Sequence, residues 1–153
     1  MKLNIIAYLR VSTQEQADSG KGLAAQRSAI EAEAVRRGWT VVEVIEDAGA
    51  SGKDLERPGI KIALEALREG RADALVVSKL DRLSRSLLDF AQLLETARRE
   101  KWSLLALDAV DTTSAAGEAQ ASMIAVFAQL ERRMISQRTK EALAVNRAQG
   151  RHH

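Results

Sequence analysis

Ser12 stands two residues after Arg10 at the end of an apolar N-terminal stretch, in the run Tyr8-Leu9-Arg10-Val11-Ser12-Thr13-Gln14-Glu15-Gln16. A serine hydroxyl is a weak nucleophile until a neighbouring group activates it. The chain has no cysteine, and its only histidines, His152 and His153, come at the very end. If Ser12 is a nucleophile, it works without a Ser-His-Asp relay. A serine served by arginines suits an anionic target, because the guanidinium fork stays charged and matches phosphate oxygens. A phosphodiester is the obvious one.

Three more segments carry chemistry-bearing residues. They are Asp47 with Ser51-Gly52 and then Arg57, the run Lys79-Leu80-Asp81-Arg82-Leu83-Ser84-Arg85, and the pair Asp108 and Asp111. Singly each has an ordinary explanation. Serine after a strand forms a turn, Asp81-Arg82 makes a surface ion pair, and Arg82 and Arg85 share one solvated helix face. Jointly they say more. If three strand ends bring Arg10, Arg57, Lys79, Arg82 and Arg85 to one place, the mutual repulsion calls for an anion between them. Metal-assisted hydrolysis is the competing account, with Asp47, Asp81, Asp108 and Asp111 as ligands. Basic residues following the first and second of these make poor surroundings for a divalent cation, and no Walker-type loop is present. Neither a metal nor a cofactor is expected.

The elements that must position these residues can be read from period and punctuation. Residues 3–9, 40–45, 74–77 and 103–107 are short apolar or β-branched runs, expected as strands. Between them, residues 23–37, 58–70 and 86–100 have helical spacing; Gly38 suits the residue just past a helix end, and Pro58 suits a first turn. The alternation predicts an α/β fold, a mostly parallel central sheet of four to five strands flanked by helices. In such a sheet the carboxyl ends of the strands form the binding edge.

Nothing breaks a helix over residues 117–150. Met123, Phe127, Leu130 and Met134 recur on it at alternating four- and three-residue steps, a seam for another helix. Beyond Ile135 the seam loses its apolar character at Gln137, Arg138 and Glu141. A helix this long outreaches a domain of 153 residues, so self-association as a homodimer or homotetramer is expected over a helix lying on its own sheet. From Glu131 onward six basic residues face two acidic ones, which concentrates positive charge at this end. Five aromatic residues in all are few for a single-strand binder that stacks bases, whereas double-stranded DNA can be gripped through its phosphates. No apolar run approaches a membrane span and no secretory signal is visible, so a cytoplasmic protein without membrane contact is expected.

Taken in order, Tyr8-x-Arg10-Val11-Ser12 with Gln16, Gln26-Arg27, Asp47 with Ser51-Gly52, Arg57-Pro58-Gly59, Leu80-Asp81-Arg82-Leu83-Ser84-Arg85 and Glu131-Arg132 with Arg138-Thr139 resemble the catalytic domain of the serine recombinases. That family comprises the resolvases, DNA invertases and large serine integrases. The resemblance implies site-specific DNA recombination, with a serine that attacks a phosphodiester and is left in a 5′-phosphoserine link, a free 3′-hydroxyl, and religation without ATP. It implies Ser12 as nucleophile, Arg10, Arg82 and Arg85 on the scissile phosphate with Arg57 assisting, Asp81 positioning an arginine or handling the serine proton, and Arg138 reaching in from the long helix. Tyr8, Gln16, Gln26, Asp47, Ser51, Lys79 and Arg132 form the implied supporting shell. The stretch between Gln16 and Gln26 is longer than in small resolvases and closer to the integrase and transposon-type branch, and Gln137 stands where many relatives have glutamate.

The expected organisation is one catalytic domain over residues 1–150, with a core over about 1–114 and the long helix over 117–150, then a tail at 151–153. No base-reading module follows, so the chain by itself is expected to bind DNA weakly, with strong salt dependence, and to be catalytically silent. A non-enzymatic DNA-binding or oligomerisation module and a metal-dependent nuclease are the alternative readings.

Overall fold

A computed structural model describes residues 2–11, 21–48, 57–79, 82, 87–108 and 110–148. In chain order the elements are β1 (Asn4–Val11), α1 (Lys21–Arg37), β2 (Thr40–Ala48), α2 (Pro58–Arg68), β3 (Ala74–Val77), α3 (Leu87–Glu100), β4 (Ser103–Ala106), β5 (Val110–Asp111) and α4 (Ala115–Ala148). The strands form one sheet in the order β2-β1-β3-β4-β5. The pairs β1–β2, β1–β3 and β3–β4 are parallel, and β5 runs antiparallel to β4. The expected α/β architecture is therefore the observed one.

Alternation along β1 divides the core between the two faces of the sheet. Ile5, Ala7 and Leu9 pack with Ile30 and Ala34 of α1 on one face. Ile6 and Tyr8 pack on the other with Ile60, Ala63 and Leu67 of α2 and Phe90, Leu93 and Ala97 of α3. A strand apolar on both faces is what a sheet covered on both sides demands. The helices end abruptly because the chain can turn left-handed there. Gly38 (φ 72°) and Gly70 (φ 79°) follow α1 and α2, and at each the next amide reaches back five residues, Trp39 to the Ala34 carbonyl and Arg71 to that of Ala66. Both are Schellman ends.

Three details depart from the sequence expectation. First, β1 and β2 run past Leu9 and Ile45 to Val11 and Ala48, carrying Arg10 and Asp47 inside the sheet. Second, β5 is a strand that hydropathy gave no sign of. It turns Asp111 back from the carboxyl edge into an ion pair with Arg37 at 2.9 Å. Third, α4 packs on α3 and β5 through small residues and Ile124 rather than through the apolar seam; Gly117, Ala121 and Ala128 are buried, while Met123, Phe127, Leu130 and Met134 are exposed. From Gln129 to Val145 every residue is exposed. Among the described residues no helix is long and apolar enough to cross a membrane.

Candidate active site at the carboxyl edge of the sheet

Parallel pairing puts the ends of β1, β2 and β3 on one edge, and the described arginines that follow them meet there. Arg10 lies on the same face of β1 as Tyr8, opposite Asp47 of β2 in register. Its Nε donates to the backbone carbonyl of Arg82 at 3.0 Å, and Nη1 of Arg57 donates to the same oxygen at 3.3 Å. Arg82 returns a bond from its own Nη1 to the Arg10 carbonyl at 3.4 Å. The Arg57 guanidinium also sits 5.5 Å from the centre of the Tyr8 ring. Arg10 and Arg57 are 1% and 4% exposed. Burying two guanidinium groups is costly unless their donors are engaged, and carbonyl dipoles engage them here.

Two polar side chains hold this arrangement from behind. The short β3 pairs with β1 only over Ile5–Ala7, so the backbone of Arg10 lies beyond its reach. Gln26 of α1 takes the place of the missing strand. Its Oε1 accepts from the Arg10 amide at 3.1 Å, and its Nε2 donates to the Arg10 carbonyl at 2.9 Å. One primary amide thus satisfies both backbone groups of a buried residue, which few other side chains can do.

Asp47 is the second. Its carboxylate accepts from the Tyr8 hydroxyl at 2.6 Å and from the amides of Gly59 and Ile60 at 2.9 and 3.1 Å. Burial pushes the Tyr8 phenol well above its ordinary range, the bond to Asp47 pushes it further, and the neighbouring Arg57 and Arg10 do not reverse the shift. Tyr8 is therefore a fixed donor. Asp47, engaged three times over by protein groups, is poorly placed to serve a metal. Among the described residues no three His, Cys, Asp or Glu side chains gather as a metal site.

Of the site residues expected from sequence, the structure brings Tyr8, Arg10, Gln26, Asp47, Arg57 and Arg82 together. Lys79 has an exposed side chain, and its backbone carbonyl accepts from the Arg82 amide at 3.0 Å; Arg132 and Arg138 are exposed on α4. Ser12, Gln16, Ser51, Asp81 and Arg85 lie outside the described residues. Gly59 is a participant to which the sequence assigned no role: Arg57-Pro58-Gly59 stands in the family motif, but only its arginine was expected at the site. Its signal was the glycine itself, in a first turn where other residues fold better.

Comparison with known proteins agrees with this geometry. The family described as "Resolvase, N terminal domain" matches residues 5–152. A DNA-invertase of Enterobacteria phage P7 is 38% identical over 148 residues, covering 96% of this chain and 72% of the invertase. The Tn2501 transposon resolvase of Escherichia coli is 36% identical over 151 residues, covering 96% and 73%. Among solved structures, the N-terminal catalytic domain of TP901-1 integrase superposes with a TM-score of 0.78 at 32% identity, covering 88% of this chain and 98% of that one. A resolvase-family site-specific recombinase from Streptococcus pneumoniae gives a TM-score of 0.78 at 28% identity, covering 97% and 99%. With strand order, arginine cluster and relatives in agreement, the chain belongs to the resolvase family and carries the catalytic domain of a serine site-specific recombinase.

Proposed function

We propose that this domain cleaves and rejoins double-stranded DNA through Ser12. The Ser12 Oγ attacks a backbone phosphorus, the P–O3′ bond breaks, and the protein is left in a 5′-phosphoserine link. The serine proton leaves as the bond forms, and the departing 3′ oxygen takes one up. Rejoining is the same exchange in reverse, so no ATP, metal or cofactor enters. Arg10, Arg82 and Arg85 stabilise charge on the non-bridging oxygens with help from Arg57, and Arg138 approaches from α4. Asp81 orients an arginine or receives the serine proton. Tyr8, Gln16, Gln26, Asp47, Ser51, Lys79 and Arg132 support them.

The observation that carries this reading is the convergence of the Arg10 and Arg57 guanidinium groups on a single oxygen, the Arg82 carbonyl, just two residues from Ser12 in the case of Arg10. Fixed donors aimed at one point are what a charged phosphoryl transition state requires. They also favour the ionised form of a nearby hydroxyl without a histidine.

The exposed apolar residues of α4 support the second part of the reading, assembly of a homodimer or homotetramer through that helix. The basic residues on the distal half of α4 supply phosphate contacts that position DNA without reading its sequence.

The test is a nicked suicide DNA substrate offered, in EDTA, to the chain fused to a known DNA-binding domain. The expected product is protein joined to the 5′ end, absent with Ser12→Ala although DNA is still bound. Cleavage that persists in Ser12→Ala, or that needs a divalent metal, overturns the assignment.

A further inference from the structure

Helix α2 opens on Arg57-Pro58-Gly59, and its own N-cap side chain does not cap it. Arg57 is the N-cap residue, with extended backbone, and its side chain makes no capping hydrogen bond. The cap comes from a neighbouring strand. Asp47 of β2 accepts from the amides of Gly59 and Ile60, the second and third helical positions, which an N-cap side chain ordinarily serves.

This approach has a steric condition. A Cβ placed on Gly59 would stand 2.6–2.8 Å from the carboxylate atoms of Asp47. That carboxylate cannot easily step aside, because it is on a short side chain, 6% exposed, and tied to Tyr8 as well. The glycine is needed for space rather than for an unusual backbone angle. Pro58 then passes the constraint on, since its ring fixes φ between the capped turn and Arg57.

We propose that Gly59 is a positioning residue for Arg57. Its bare Cα admits the Asp47 carboxylate, and the carboxylate anchors the start of α2. Arg57 is thereby held with its guanidinium over the Tyr8 ring and against the Arg82 carbonyl. The proposal rests on the reading that Arg57 assists at the scissile phosphate, and it names what fixes Arg57 there.

The experiment compares Gly59→Ala, Asp47→Ala, the double variant and Arg57→Ala in the covalent-capture assay, alongside ultraviolet titration of Tyr8 in the unfused chain. A catalytic group displaced by about 1 Å costs on the order of 10²-fold, and Gly59→Ala is expected to lose that much cleavage rate while retaining DNA. Because Asp47→Ala removes the carboxylate carbon and both oxygens that the added methyl group would strike, the double variant should cleave no more slowly than Asp47→Ala alone. The Tyr8 midpoint should fall in Gly59→Ala and Asp47→Ala alike. If Gly59→Ala does not fold, recovery of folding in the double variant supports the proposal and continued misfolding overturns it. Additive losses, or wild-type cleavage by Gly59→Ala with an inactive Arg57→Ala, overturn it as well. Wild-type cleavage by Arg57→Ala removes the catalytic reading of Arg57 instead, and the Tyr8 titration still reports whether Gly59 admits the carboxylate.

Discussion

Arg10 and Arg82 each donate a side-chain hydrogen bond to the other's backbone carbonyl, at 3.0 Å and 3.4 Å. The end of β1 and the chain after β3 are thereby locked together at the point where catalysis is proposed. A lysine at position 10 would keep the charge and lose the planar fork that makes this lock. Arg10→Lys is expected to slow covalent capture of the suicide substrate by roughly 10²–10³-fold, the usual effect of removing one transition-state donor. A rate within a few-fold of wild type would show that charge alone suffices.

Gln26 replaces a strand for the backbone of Arg10, so removing it strands a buried amide and weakens the hold on a buried carbonyl. Gln26→Ala is expected to destabilise the domain by about 2–4 kcal/mol. Urea unfolding should show the midpoint falling at unchanged slope.

Tyr8 is the only tyrosine in the chain, so tyrosinate absorbance reports it alone. Its folded-state pKa is raised, which means that it contributes stability at every pH below the ordinary phenol value. That contribution is lost as pH rises from there through the folded value. No tyrosinate signal is expected at the ordinary midpoint near pH 10 while the fold persists, and its appearance should coincide with alkaline unfolding. Early, independent titration would mean that Tyr8 is not buried against Asp47.

Asp111 behaves with the opposite sign. Burial alone would raise its carboxyl, but the Thr113 hydroxyl and amide together with Arg37 hold it below the usual range. Its contribution is therefore present above the unfolded-state carboxyl value and disappears as pH falls through the folded one. Asp111→Asn should lower the melting temperature at neutral pH, with the gap to wild type closing in acid.

Phe127 and Met134 are 57% and 46% exposed on α4. The double variant Phe127→Glu, Met134→Glu should leave the monomer folded, since neither side chain packs on its own domain. Sedimentation velocity should show the assembled species lost. Unchanged assembly would place the contact elsewhere.

Sequence reading located the parallel sheet, every long helix and the edge at which Arg10, Arg57 and Arg82 gather, because each rests on local signals: hydrophobic period, Gly38 and Pro58. It stopped short of Arg10 and Asp47, ending the strands at Leu9 and Ile45 where a charged residue follows. Both charges are buried because partners distant in sequence satisfy them, Asp47 being 39 positions from Tyr8, and no local pattern announces such a pairing. The two-residue β5 is too short for any period to reveal. The seam on α4 was legible as apolar spacing, but nothing local told that small residues, not the seam, would take the contact with α3.

Gln26 also acts on the chain between itself and Arg10. Its two bonds close a circuit across 16 positions of sequence, fastening both ends of the segment that contains Ser12. The end of β1 and the first turns of α1 are therefore held at a fixed separation by one side chain, and a substitution at position 26 acts on both elements at once.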